Sequence, residues 1–221
     1  MKFNPSIYSN FKHIRDETFP AVIIEGQQKL EYITSLCKHQ NLCIQAGCNF
    51  GIFPHYLSQV FETIITTEPS PVINKYAREN LSACDNIVLL DAGFGASTGS
   101  CTEVFDSTNC GATQLNTSKP GEIEVITIDS IMCNYNFCDL IYLDIEGMEY
   151  QALQGARETI LKYKPVIVVE NKGLIPEFEE NNQPKFSPNG NQGFRDKLSE
   201  EFGYTFYKRL MRDDIFLPID T

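Results

Sequence analysis

The sequence is poor in basic residues. Its 221 residues include 18 Lys and Arg against 29 Asp and Glu, which gives a formal net charge of −11. A negatively charged protein is repelled by the phosphate backbone of nucleic acids. We therefore expect no general nucleic-acid binding, whereas a small or cationic ligand is compatible with this charge.

Long apolar runs are also absent. The first residues, MKFNPSIYSNFKHIRDE, mix charges and lack the apolar stretch of a signal peptide. The longest apolar runs, such as VIVV at 166–169, are far too short to span a bilayer. These absences predict a cytoplasmic protein with no membrane span.

Metal and disulfide signatures are missing as well. The chain has 3 histidines, none in a ligand-like cluster, and its 8 cysteines include no CxxC pair. Without a signal peptide, this cysteine content fits a reducing compartment better than a disulfide scaffold. We expect free thiols that pack as small apolar side chains.

The residues that are present describe a globular chain, with 42% hydrophobic and 21% charged residues. Short apolar runs of strand length alternate with stretches of helical period, which is typical of an α/β fold with a doubly wound, mostly parallel sheet. These runs lie at 42–46, 63–67, 86–90, 124–128, 140–144 and 165–169.

We expect a single domain over residues 1–221, with its cofactor-binding core at 42–171. Residues 1–40 form a lead-in of uncertain structure, and 172–221 hold a flap, a helix and a closing hairpin antiparallel to its neighbours at the sheet edge. Residues 93–121 lack a clear period and predict a long loop or an irregular hairpin.

The loop after the first strand carries the clearest functional signal. It reads QAGCNFG over residues 45–51, and Glu68 follows the second strand. An acid about 20 residues beyond the first glycine is typical of ribose binding at the crevice of such a sheet. A dinucleotide loop would also need glycines where Asn49 and Ile52 stand, so we expect a nucleoside without phosphates, with S-adenosylmethionine as the leading candidate.

Four segments together resemble the FkbM-type methyltransferases, a branch of the class I enzymes that use S-adenosylmethionine. They are IQAGCNFGIF, the EPSP after the second strand, LIYLDIEGMEYQALQGA and KPVIVVE. The resemblance covers residues 42–171, and the closing GYTFYKRLMRDDIFLP is similar to the last hairpin of that family. It implies a Rossmann-like, seven-stranded sheet.

The resemblance implies that Gly47, Asn49 and Gly51 shape the cofactor loop and that Glu68 holds the ribose. Gln45 stands where the family usually has an acid, so it can hydrogen-bond to the amino end of the cofactor without offering a charge. Phage-borne relatives share this glutamine, which leaves open a viral source and the host cytoplasm as location. Asp91, after the third strand, is either the group that faces the adenine amine or an exposed turn residue.

Three further acids are candidate catalytic residues. Asp144 and Glu146 follow the fifth run and Glu170 ends the sixth, at the crevice end of a parallel sheet. They can orient the cofactor or accept a proton from a nucleophile, with Asp144 in both roles. Glu170 can equally pair with Lys172, and Glu149 is better explained by the positive end of the next helix.

The sequence therefore predicts methyl transfer to a hydroxyl of a sugar, glycan or other small polar acceptor. A variant adds a divalent ion held by Asp144, Glu146 and a further acid such as Asp129, although helix capping explains Asp129 nearly as well. A nucleotide-dependent oxidoreductase and a non-catalytic nucleoside-binding relative are the alternatives. The sequence leaves the acceptor and the oligomeric state open.

Overall fold

The computed structural model describes residues 19–104, 114–116, 119–172, 174–180, 183–186 and 189–219. Its strands are β1 (Leu42–Ala46), β2 (Thr63–Thr67), β3 (Ile87–Leu90), β4 (Ala92–Phe94), β5 (Gly99–Val104), β6 (Gln114–Asn116), β7 (Ile123–Ile126), β8 (Leu140–Leu143), β9 (Val166–Glu170), β10 (Leu174–Glu180), β11 (Gln183–Phe186), β12 (Tyr204–Leu210) and β13 (Asp213–Pro218). Its helices are α1 (Phe19–Ser35), α2 (Ile52–Leu57), α3 (Pro71–Asn80), α4 (Ile128–Met132), α5 (Glu149–Gln154), α6 (Arg157–Tyr163) and α7 (Gln192–Phe202).

The main sheet has seven strands in the order β12-β13-β9-β8-β1-β2-β3. The five neighbouring strands β9, β8, β1, β2 and β3 are parallel to one another. The β12–β13 hairpin is antiparallel and forms one edge of the sheet. Because the chain leaves the central β1 toward β2 and β3 and later returns on its other side at β8, the sheet is doubly wound. The predicted fold class and the closing hairpin are confirmed.

Helices cover both faces of this sheet because alternate residues of each buried strand point to opposite sides. Ile44 and Ile141 pack in one cluster with residues of α5, α6 and α7. Cys43 and Tyr142 pack in the other, with residues of α1 and α2. The lead-in thus contains a helix that covers one face of the sheet.

The run at 124–128 does not join the main sheet, and this part of the prediction is wrong. It forms β7 in a small sheet of order β4-β7-β5-β6. In β7 the buried Ile123 and Val125 alternate with the exposed Glu124, whereas all four residues of β8 are buried. Such alternation is typical of a sheet with one face in solvent.

The two segments predicted as loops contain paired strands. Within 93–121, β5 and β6 are antiparallel, which fits the irregular hairpin; residues 105–113, 117 and 118 lie outside the described part. In the flap, β10 pairs antiparallel with β11.

The two ends of the flap are joined by side chains. Asn171 lies before it and Asn191 after it; the Asn191 backbone N–H donates to Asn171 Oδ1 at 3.0 Å. Asn171 Nδ2 also donates to the buried Asp214 at 2.6 Å. Asp214 accepts further hydrogen bonds from Arg195, at 2.8 and 2.9 Å, and from Arg209, at 2.7 Å. The base of the flap is therefore held by a buried, charge-compensated network.

Every cysteine in the described part of the chain is a free thiol. Among the helices of these residues, none combines the length and the apolar character that crossing a bilayer requires.

Candidate active site

Gly47 lets the loop after β1 pack against the end of β8. Its φ is +84°, and a Cβ atom here would lie 1.9 Å from the backbone oxygen of Asp144. The Asp144 backbone N–H donates to Ala46 O at 3.1 Å, which draws the two strand ends together. A glycine is required here by this backbone contact, in addition to any approach of a ligand.

Asn49 and Gly51 give the loop its shape. Both have left-handed backbone conformations, with φ of +50° and +94°. Gly51 precedes α2, and its missing side chain leaves room for Leu81, whose Cγ would lie 2.9 Å from an added Cβ. The three loop residues named by the resemblance thus set the turn from β1 into α2.

Gln45 supports this loop from beneath. It is fully buried and its Nε2 donates to the backbone oxygens of Ala46 and Gly47, each at 3.0 Å. Its Oε1 accepts a hydrogen bond from the Thr66 hydroxyl. The side chain is thus engaged within the protein, and direct contact with a cofactor stays a prediction.

Glu68 lies at the end of β2, with 6% of its surface exposed. Its carboxylate accepts from the backbone N–H of Asn49 at 2.8 Å and of Ser70 at 3.1 Å. Burial raises its pKa to about 7, with a smaller contribution from the charge of Glu103. The carboxylate therefore links the β1 loop to the start of α3. Its burial removes most of the water that would otherwise solvate it.

Three buried side-chain oxygens without a partner belong to residues next to Glu68 in the chain or bonded to it, and a fourth lies on the small sheet. In the described part of the chain, the buried side-chain atoms without a hydrogen-bond partner are Asn49 Oδ1, Thr67 Oγ1, Ser70 Oγ and Glu103 Oε1. Buried polar atoms in folded proteins almost always have a partner. A ligand rich in O–H and N–H groups, such as a nucleoside, fits these atoms.

Asp91 lies apart from this buried group. Its side chain is 69% exposed and pairs with Arg78, which is 51% exposed. This matches the exposed-turn interpretation, and its contact with adenine stays untested.

Asp144, Glu146 and Glu170 come together at the ends of β8 and β9. Each offers one carboxylate oxygen, and these oxygens lie within 4.8 Å of one another. Lys172 pairs with Glu146 and, at 2.9 Å, with Glu170. Glu146 has a left-handed φ of +56°, and Gly147, at +105°, completes the turn into α5.

Asp144 and Glu170 both have raised pKa values. Burial and then the charges of Glu170 and Asp213 raise the pKa of Asp144 well above its ordinary value. Burial also raises the pKa of Glu170, although Lys172 and a hydrogen bond from Asp144 oppose this. Two adjacent buried carboxyls cannot both ionise readily, so Asp144 is the member of the pair that keeps its proton more readily, and Glu170 is the member that ionises more readily.

A second ion pair lies beside this pair of carboxyls. Asp213 is the register partner of Glu170 in β13 and is 2% exposed. It pairs with Lys29 of α1 at 2.5 Å and accepts from the Tyr142 hydroxyl at 2.7 Å. Sequence reasoning missed this group because Lys29 lies in the lead-in; the one available signal was a tyrosine inside the buried run LIYL.

Asp129 and Glu149 have structural roles. Asp129 accepts from the backbone N–H groups of Glu158 at 3.0 Å and Thr159 at 2.8 Å, and so caps α6. Asp129 thus has the helix-capping role, and the divalent-ion variant stays a prediction for which Glu170, beside Asp144 and Glu146, is the third acid at hand. Glu149 accepts from the N–H groups of Ile145 and Gly147, each at 3.0 Å, in agreement with its structural interpretation.

The sheet order, the glycine loop after β1 and the acid after β2 define a Rossmann-like fold of the class I methyltransferase type. Solved structures with this fold include an S-adenosylmethionine-dependent methyltransferase from Leishmania major, with a TM-score of 0.53, 8% identity, and coverage of 96% of this chain and 80% of that one. Another, from Aquifex aeolicus, has a TM-score of 0.50, 12% identity, and coverage of 99% and 100%.

The family follows from the sequence match. The sequence-family model of the methyltransferase FkbM domain matches residues 36–206, so the chain belongs to this family. The solved FkbM methyltransferase of Methylobacillus flagellatus KT has a TM-score of 0.51 and 18% identity. That match covers 96% of this chain but only 57% of the other protein's length. Among curated proteins, none is similar enough to match.

Proposed function

We propose that the protein transfers a methyl group from S-adenosylmethionine to a hydroxyl of a sugar or other small polar acceptor. The observation that supports this most directly is the cluster of adjacent carboxyls of Asp144, Glu146 and Glu170, whose oxygens lie within 4.8 Å of one another. This cluster lies at the ends of parallel strands, as does Glu68, the acid predicted to bind the ribose. A nucleoside position and a proton acceptor then lie along one crevice.

The cofactor would supply an electrophilic methyl group on a positively charged sulfur. Glu68 would bind the ribose, and the loop over 47–51 would hold the cofactor against the ends of β1 and β2. The carboxylates of Glu146 and Glu170, compensated in part by Lys172, give this end of the crevice a negative charge that favours a sulfonium. No covalent intermediate on the protein is needed, so the main contributions are position and proton transfer.

Glu170 is the best candidate for the base. Of the two carboxyls it is the one that ionises more readily, and its carboxylate can take the proton of the acceptor hydroxyl. Lys172, 2.9 Å away, limits the rise in its pKa. Glu146 is the other half of the Lys172 ion pair and would help to hold that ammonium group.

The acceptor is proposed from charge and composition. A negatively charged site disfavours phosphates and carboxylates and suits neutral hydroxylated molecules. Residues 93–121 are rich in Gly, Ser, Thr and Asn, and residues 172–193 are rich in Gly and Asn. These side chains and backbones suit hydrogen bonding to a sugar or another hydroxylated molecule.

Thermal unfolding with S-adenosylmethionine and S-adenosylhomocysteine tests the cofactor. We expect both to raise the unfolding temperature, with a stabilisation of about 2.7 kcal/mol at a hundredfold excess over Kd. No shift with either at saturating concentration would overturn the proposal.

Methyl transfer from the labelled cofactor to glycan, nucleotide and lipid extracts tests the acceptor. Label in the glycan or another neutral, hydroxylated fraction is expected. Cofactor binding without transfer to any fraction would favour the non-catalytic relative instead.

A further inference from the structure

Unpartnered buried oxygens lie at the end of β2 and on the small sheet. Thr67 and Ser70 flank Glu68 in the chain and are 1% and 0% exposed, yet their hydroxyls have no partner. The backbone of Asn49 donates to Glu68, and its own Oδ1 has no partner. The fourth atom, Oε1 of Glu103, belongs to β5.

The small sheet carries Glu103 back toward Glu68. The Glu68 backbone N–H donates to Leu90 O at 3.1 Å, and β4 begins at Ala92, just after it. β7 lies beside β4, and β5 lies beside β7. The register places Ala92 of β4, Glu124 of β7 and Ser100 of β5 in one row, and the antiparallel β5 then runs to Glu103 on the side of that row where Leu90 lies. The charge of Glu103 also raises the pKa of Glu68, in agreement with this placement.

Two carboxylates that lie near one another repel unless donors or cations compensate their charge. In the described residues no Lys or Arg is paired with either carboxylate. Both oxygens of Glu68 already accept one backbone hydrogen bond, whereas Oε1 of Glu103 accepts none. This buried oxygen therefore needs a donor, and an adenosine group has donors in its ribose hydroxyls and its amino group.

We propose that Glu103 is a second cofactor-binding carboxylate, whose buried Oε1 accepts a hydrogen bond from the adenosine part of S-adenosylmethionine. This inference rests on the proposed function and adds to it a residue outside the parallel sheet. Glu103 takes the role that was predicted for Asp91, whose side chain lies at the surface. The small sheet thereby becomes part of the cofactor site.

Binding of S-adenosylhomocysteine, measured by calorimetry at pH 8, tests the proposal. We expect Glu103→Ala to weaken binding at least tenfold, as the loss of a hydrogen bond to a charged group implies. Glu103→Gln keeps an acceptor oxygen and should lose less. Glu124→Gln, on the exposed face of the same sheet, is the matched control and should bind like the wild type.

If Glu103 does not contact the cofactor, the expected change in affinity has the opposite sign. If Glu103 merely stands near Glu68, its removal relieves repulsion, and binding by both variants stays equal to the wild type or becomes tighter. Either result overturns the proposal, and circular dichroism shows whether each variant is folded. If Glu103→Ala does not fold, weaker binding by Glu103→Gln supports the proposal and unchanged binding overturns it.

Analogues of S-adenosylhomocysteine identify the donor. If the donor is the adenine amine, Glu103→Ala should bind the inosine analogue as tightly as the wild type does. If the donor is a ribose hydroxyl, the variant and the wild type should bind the matching deoxyribose analogue equally. An equal loss with all analogues would overturn direct contact. Failure of the wild type to bind S-adenosylhomocysteine would overturn the proposed function, and this inference with it, whereas wild-type binding with unaffected variants overturns the inference alone.

Discussion

At the scale of single residues, the glycine loop shows how one position can have two causes. Gly47 is expected to open space for a cofactor, and the structure adds a backbone contact with Asp144 that no side chain permits. The two causes make separate predictions, because the contact acts with no ligand present.

We expect Gly47→Ala to destabilise the protein by about 3 kcal/mol, since it adds both a positive-φ cost and an overpacked Cβ. Urea denaturation without ligand measures this. Gly99→Ala is the control, because an added Cβ there meets nothing within 4 Å. Equal stability of the two variants would contradict the contact.

Glu68 predicts a pH dependence of binding. Its pKa of about 7 in the free protein is above that of an unfolded glutamate, so the carboxyl is mostly neutral below pH 7 and mostly ionised above it. Ribose hydroxyls donate best to the ionised form, so the affinity for S-adenosylhomocysteine should rise as pH increases through about 7 and then level off. Calorimetry in two buffers should show proton release below pH 7, and Glu68→Gln should remove it. A flat profile in the wild type would contradict this role.

Glu170→Gln tests the base. We expect kcat to fall by roughly 10²–10⁴-fold, the usual contribution of a positioned base, while S-adenosylhomocysteine affinity stays within a few fold. Glu62→Gln, at an exposed position, is the control. Full activity of Glu170→Gln would move the role to Asp144 or Glu146.

At the scale of elements, α1 contributes more than a cover for the sheet. Its Lys29 is the cation for the buried Asp213, beside Asp144 and Glu170. Removal of one partner of a buried pair leaves an uncompensated charge.

Lys29→Met should therefore destabilise the protein by about 3–5 kcal/mol, and Lys29→Met with Asp213→Asn should recover part of this loss. Chemical denaturation of the four members of this cycle provides the measurement, with the exposed Lys38→Met as control. Additive effects of the two substitutions would contradict the pairing.

Elements also show which predictions sequence supports. Apart from Gln45 and Glu170, the residues of β1, β2, β8 and β9 are apolar or small, so the place of these runs in a parallel sheet could be predicted. The run at 124–128 resembles them, and only the exposed Glu124 at its start indicates a half-exposed sheet. Strand pairing places Glu103 on the small sheet, and packing of α1 brings Lys29 to Asp213. Both depend on tertiary contacts that a local pattern does not contain.

At the scale of the whole molecule, the net charge of −11 is not spread evenly. Glu68, Asp144, Glu170 and Asp213 lie along the side of the sheet where the parallel strands end, and Lys29 and Lys172 compensate the charges of Asp213 and Glu170. Sequence could predict the acids at the strand ends, because parallel strands end at the same edge. It could not predict their protonation, which depends on burial and mutual distance.

The network around Asp214 predicts that the chain can be cut within the flap without loss of the fold. Asn171 bonds to both Asn191 and the buried Asp214. These contacts hold together the two chain segments at the base of the flap without the connection between β10 and β11. Two fragments split between those strands should reassemble when expressed together and bind S-adenosylhomocysteine. The same two fragments carrying Asp214→Asn should not reassemble, so this acidic residue would decide whether the protein can work as a two-piece reporter.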